Sequence, residues 1–276
     1  MPPQTEASPE SLFKAALDEL AIVGGFSNHV SMVVTGSATD ERHQMASTVH
    51  AKICANARSI GAISKSSMFD HSAIMSVARM IVDGMTMFFY LWEDIDDNVW
   101  DLRYFVLRLH DTVARIKLVR AWQDKSDYAD LIAGKNELLE KIRSNAHYRL
   151  LGEDQQEKLV TGEQIFVGGM RRAAMQTGAW REETFIATYN YLSAHSHSAP
   201  ISFFRFSSHS IDYRSPSHAQ FASACFAIEI ATACLRRVTL RYLDYHLEKF
   251  PQSKNEFADS FVQKLRDKDG TRYLFT

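Results

Sequence analysis

Apolar positions recur at three- and four-residue intervals through most of the chain, and strict alternation is scarce, so the pattern predicts helices rather than strands. The clearest case runs from about His71 to Trp92. Ile74, Val77, Ile81, Met85, Phe88 and Trp92 form one face, and Ser72, Ser76, Arg79, Asp83, Thr86, Tyr90 and Glu93 form the other. Between Ser72 and Leu91 the only charges are Arg79 and Asp83. The stretch Ala73–Trp92 is long enough to span a bilayer, but two charges and a continuous polar stripe predict a core helix of a folded protein instead. A second apolar helix is expected from about His218 to Phe250, with Glu229 the single charge in its first half. Helices this apolar are packed on most sides, and a charge inside them is costly without a partner.

Other boundaries follow from capping and breaking residues. Residues 1–8 read as a flexible leader, and Ser8-Pro9 starts a helix expected to end at Gly24-Gly25. Thr39, Asp40 and Glu41 open a second helix that closes near Gly61. Beyond the acidic run Glu93, Asp94, Asp96 and Asp97, a helix over about 98–123 carries Leu102, Val106, Leu109, Val113 and Ile116 on one face. Ser126 opens another, reaching about Asn145. Residues 148–180 read as a glycine-containing connection with one short helix near Asp154–Val160. Glu182–Ser196 is helical and limited by Pro200, while ISFFRF (201–206) fits strand or helix. A last helix falls near 254–266. The expectation is all-α: a single irregular helical bundle of about eight or nine helices over residues 9–276.

Composition narrows the function classes. Hydrophobic residues make up 46% of 276, enough for a sizeable core, and the formal net charge of −2 leaves no basic stripe of the kind that drives nucleic-acid binding. Cys54, Cys225 and Cys234 are odd in number and lack metal or redox spacing, so reduced thiols in a cytoplasmic protein are expected. The N-terminus has no secretory pattern, and no motif implies a cofactor or a membrane partner. No Gly-x-Ser-x-Gly elbow is present. Met75, Met80, Met85 and Met87 are expected to fill the core.

Arg79 and Asp83 lie one turn apart and can pair along a helix face. Glu229 shares a stripe with His218, Cys225, Thr232 and Arg236, and is expected to partner Arg79 or Arg236. His197 sits near a helix end, where an imidazole caps carbonyls. These four residues, Arg79, Asp83, His197 and Glu229, are expected to gather as a buried polar cluster. That cluster is mainly structural, with room for a small polar or anionic ligand, and it is the candidate catalytic set if the protein is an enzyme. A metal-assisted hydrolase using His195, His197, Asp94 and Asp97 is a further reading. On a helix, however, residues two apart point about 200° from each other, against shared ligation by His195 and His197. The acidic run more simply complements the dipole of the helix that follows.

Two local patterns carry a family resemblance. One is Arg79-Met-Ile-Val-Asp83 followed by the aromatic run Phe88-Phe89-Tyr90-Leu91; the other is Tyr189, Leu192, Ser193 and His197, followed by Ser198 and Pro200. In order and separation they resemble bacterial all-helical proteins known only as domains of unknown function. That resemblance implies a helical fold and brings no activity. Arg103-x6-His110 and Arg241-x4-His246 also resemble the Arg-x4–6-His motif of HEPN (higher eukaryote and prokaryote nucleotide-binding) domains. This second resemblance implies a metal-independent ribonuclease acting on RNA through Arg241 and His246 at a homodimer interface.

Overall fold

In the computed structural model of the protein, the described residues are 7–34, 40–92, 95–122, 127–177, 180–197, 199–204, 206–251, 257, 259–267 and 274–275. Among them the architecture is all-α, with twelve helices and one isolated bridge between Trp180 and Phe275. The count exceeds eight or nine because three short helices lie where the sequence pattern is weak: Ala146–Arg149, Met170–Thr177 and Pro200–Phe203. The chain gathers into two compact units, residues 1–89 with 179–276, and residues 90–178.

In the first unit α1 (Pro9–Val34), α2 (Glu41–Ile63) and α11 (His218–Lys249) pack on one another. Asp40 caps α2 by accepting the His43 N–H at 2.8 Å. Ser217 and Gln220 form a reciprocal capping box at the start of α11. α1 does not stop at Gly24-Gly25, as the sequence predicts; it runs on for more than two turns. Two helical glycines cost about 1 kcal/mol each, and the burial of Ser27, Val30 and Val34 beyond them outweighs that cost. An added Cβ at Gly24 or Gly25 would meet nothing within 4 Å. Replacing both with alanine is therefore expected to raise unfolding stability by about 1–2 kcal/mol, read from the urea midpoint at unchanged slope.

α3 (His71–Trp92) starts where predicted, with the Asp70 carboxylate accepting the Ala73 N–H at 2.9 Å. Ile74, Ile81, Met85 and Phe88 are fully buried, and Val77 is half-buried. This helix alone among the described residues is long and apolar enough to cross a membrane, but 61% of its most apolar window is buried in the protein. Met75 and Met85 fill the core as expected, whereas Met80 is exposed. α3 passes so close to α2 that a Cβ at Gly84 would sit 2.6 Å from Ile53 Cγ1, which explains glycine there. α9 (Glu182–Ser196), α10 (Pro200–Phe203) and α12 (Asp259–Asp267) complete the unit.

The second unit holds α4 (Asp97–Trp122), α5 (Tyr128–Ser144), α6 (Ala146–Arg149), α7 (Glu153–Leu159) and α8 (Met170–Thr177). Its core is Leu102, Val106, Leu109, Ile142, Tyr148 and Leu159, the α4 members being those the periodicity marks. Asn145 turns the chain from α5 into α6 by accepting the N–H groups of His147 and Tyr148. Thr39, Ser126, Glu93 and Asp94, with most of the leader, lie outside the described residues.

Candidate functional site

The polar stripe of α3 does not face open water; α9 covers it. Ser72 Oγ lies 3.1 Å from His195 Nδ1, and Arg79 Nε donates to Ser193 Oγ at 2.7 Å. Since the contacts of α3 ascend as those of α9 descend, the two helices run antiparallel. Arg79 also donates to the Asp83 carboxylate and to the Tyr189 hydroxyl, and its guanidinium carbon sits 4.0 Å from the centroid of the Tyr189 ring. All three nitrogens of the guanidinium are thus engaged, by one residue of its own helix and two of α9. The Arg79 side chain is 17% exposed and Asp83 39%, so Arg79 is the buried member of the pair.

A second polar group occupies the other end of the seam. The His71 and His195 rings meet edge to face with centroids 5.7 Å apart. Burial, reinforced by the neighbouring His71, pulls the His195 pKa down to about 4 against the opposing charge of Asp70. Burial also lowers that of His71, again opposed by Asp70. Both imidazoles are therefore neutral at neutral pH. His71 is buried and its Nδ1 has no hydrogen-bond partner among the described residues. A neutral His195 beside the Ser72 hydroxyl is half of a nucleophilic arrangement. The other half, a group orienting the imidazole through its second nitrogen, is not found among the described residues.

His195 ties the seam to the opposite side of α9. Its ring meets Tyr191 at 5.3 Å, and the Tyr191 hydroxyl lies 3.2 Å from Ser223 Oγ on α11. Tyr191, Thr184, Ala187, Thr188 and Glu183, with Phe226 of α11, line a shallow recess of about 570 Å³.

Two residues expected in the cluster lie elsewhere. Glu229 is exposed, and its carboxylate accepts from the Cys225 thiol at 3.6 Å, with no bond to Arg79 or Arg236. Arg236 pairs instead with Glu19 of α1. His197 is exposed at the end of α9, where its backbone N–H, rather than its ring, caps the helix by donating to Ser193 O. The polar cluster is therefore Arg79, Asp83, Tyr189 and Ser193, all half-buried. The last two stand in the Tyr-x2-Leu-Ser motif quoted above, but nothing in a linear pattern says that α9 lies on α3.

The residues of the other readings are also placed. His246 is buried with its ring against Phe250 at 5.1 Å, and Arg241 is half-buried. Arg103 is held by Tyr90, and His110 Nδ1 lies 3.0 Å from Gly162 O. Asp97 is exposed in the first turn of α4, and Asp94 lies outside the described residues. No group of three or more His, Cys, Asp or Glu side chains among the described residues is arranged to hold a metal ion. The three cysteines are free and buried, and burial raises their thiol pKa values, to about 12 for Cys54 and about 11 for Cys225, so they are poor nucleophiles.

A family model described as a family of unknown function, DUF5677, matches residues 43–213. That span includes both sides of the α3–α9 seam and ends before Glu229, Arg241 and His246. No curated protein and no solved structure matches the chain.

Proposed function

Because the chain belongs to the DUF5677 family, whose function is unknown, its role has to be read from its own side chains, and we propose that the α3–α9 seam is an architectural clasp that holds one wall of a small-ligand recess. The observation that carries this reading is the division of α9 into two faces. Tyr189 and Ser193 are bound to Arg79, while Thr184, Ala187, Thr188 and Tyr191 line the recess. The guanidinium is already paired with Asp83, which favours a structural role over anion capture. The recess itself offers an aromatic pair, Tyr191 and Phe226 at 5.9 Å, two threonines and the Glu183 carboxylate, with no cation among the described residues of its lining. Its volume is in the range of small-molecule sites. Its chemistry suits a neutral or cationic ligand with a flat apolar part, and argues against an anion at this place.

A thermal-shift panel of small neutral polar compounds, aromatic amines and aromatic carboxylates tests this. Amines or neutral compounds are expected to raise the melting temperature, carboxylates to have no effect, and Ala187→Phe, which fills the recess from an exposed position, to abolish the shift. Shifts produced only by carboxylates, or unaltered in Ala187→Phe, would contradict the reading.

A further inference from the structure

The second unit contains a smaller, more enclosed pocket of about 70 Å³. Its polar lining is Arg103, His147, Gln155, Arg172 and Gln176, and no acidic residue among the described residues lines it. In a chain with net charge −2, two guanidinium groups and an imidazole around one cavity set this place apart. We propose that the pocket binds the phosphoryl group of a small molecule, either inorganic phosphate or a phosphomonoester.

Arg103 is positioned before any ligand arrives. Tyr90, 1% exposed, fixes Arg103 twice: its carbonyl accepts from Arg103 Nη1 at 2.6 Å and its ring lies 4.3 Å under the guanidinium carbon. The same tyrosine accepts the Val167 N–H at 2.9 Å through its hydroxyl, holding the pocket's apolar wall. Arg172 stands on α8, and its side chain makes no hydrogen bond or ion pair with any described residue. Its stem crosses Gly168 so closely that a Cβ there would fall 2.6 Å from Arg172 Cδ. Gly168 also has a φ of +86°, a left-handed conformation that favours glycine. His147 is presented by the first turn of α6, its N–H bound to Asn145. Asp96 lies outside the lining, and its carboxylate accepts the Asn98 N–H.

Size selects the ligand group. The volume is about two water molecules' share of liquid, room for one tetrahedral oxyanion and far below that of a drug-sized site. Paired arginine forks match the geometry of phosphate oxygens, carboxamides donate further N–H groups, and the Leu102 and Val167 side of the pocket excludes water and strengthens these contacts. The carbon portion of an ester would lie outside.

Equilibrium titration of the full chain with inorganic phosphate, and separately with ribose 5-phosphate, tests the proposal. Saturable binding is expected with a Kd of roughly millimolar or tighter. Equal affinities would assign the pocket to the free anion, and tighter binding of the ester to a phosphorylated metabolite. Arg172→Ala, at an exposed position, is expected to weaken binding by about tenfold or more at an unchanged melting temperature, and Gly168→Ala to weaken it in the same direction. Absence of saturable binding to both compounds, or affinity unaltered in Arg172→Ala, would overturn the proposal.

Discussion

Arg79→Ala is expected to destabilise the protein by about 2–3 kcal/mol, whereas Asp83→Ala costs only about 0.5 kcal/mol. The asymmetry follows from burial and from what each side chain holds. Asp83 is more than a third exposed and belongs to the same helix as Arg79, so its pairing is screened and joins nothing that the backbone does not already join. Arg79 is the less exposed of the two and reaches across to Tyr189 and Ser193. Its removal forfeits two charge-assisted hydrogen bonds and a cation–π contact, and leaves a hydroxyl and a phenol unpartnered in the seam. Lysine is a poor substitute, because one ammonium cannot reproduce the planar fork that meets three partners. Urea denaturation of the two alanine variants checks the difference. Hydrogen exchange adds a local readout, with α9 amides expected to lose protection first in Arg79→Ala.

Acidification from pH 6.5 to 4 is expected to remove about 3 kcal/mol of stability through His50 alone. His50 is fully buried between α1, α2 and α11. A hydrogen-bond chain fixes its tautomer. Ser27 donates to Val23 O at 2.8 Å, so Thr239 must donate to Ser27 Oγ, also at 2.8 Å. The Thr239 oxygen then accepts from His50 Nε2–H at 3.1 Å. Nδ1 keeps a lone pair and has no partner among the described residues. A proton added there would lie buried without an acceptor, and burial accordingly lowers the His50 pKa to about 4. The unfolded chain takes up that proton near pH 6.5 while the folded one resists it, so the contribution is complete above pH 6.5 and is lost as pH falls towards 4. His195 and His71, also lowered by burial, act in the same direction. His50→Gln keeps a donor for Thr239 and removes the titration. Its unfolding free energy, measured from pH 7 to pH 4, is expected to fall less steeply than the wild type's, and an equal slope would show that His50 does not govern it.

The sequence made much of α3 and α9 legible, and less of what they do together. The span of α3 follows from periodicity and that of Glu182–Ser196 from the limit set by Pro200, and the lone charges Arg79 and Asp83 mark the seam. Glu229 misleads because one charge in an apolar helix has two solutions: a buried partner, or a position at the rim where α11 meets water. One-dimensional spacing does not distinguish them, and the protein uses the second. Gly24-Gly25 reads as a stop because propensity is local, while the burial of Val30 and Val34 is tertiary. The Ser72–His195 and Arg79–Tyr189 contacts span more than one hundred residues. Arg79 and Tyr189 stand in the two recognised patterns and Ser72 in the polar stripe of α3, but only the antiparallel packing of α9 on α3 turns them, with His195, into a site. Short helices such as Met170–Thr177 are too brief to show a period, so the Arg172 side of the phosphate pocket has no signal in sequence beyond the glycines at 168 and 169.

The coupling free energy between Arg79 and Tyr189 tests the clasp most directly. Arg79→Met, Tyr189→Phe and the double variant close a thermodynamic cycle in which Asp83 and the helix backbone stay constant. A coupling of about 1–2 kcal/mol is expected, because each single change already breaks the shared hydrogen bond. Effects that add to within about 0.5 kcal/mol would mean that Arg79 does not hold α9, and the account of the seam would be contradicted.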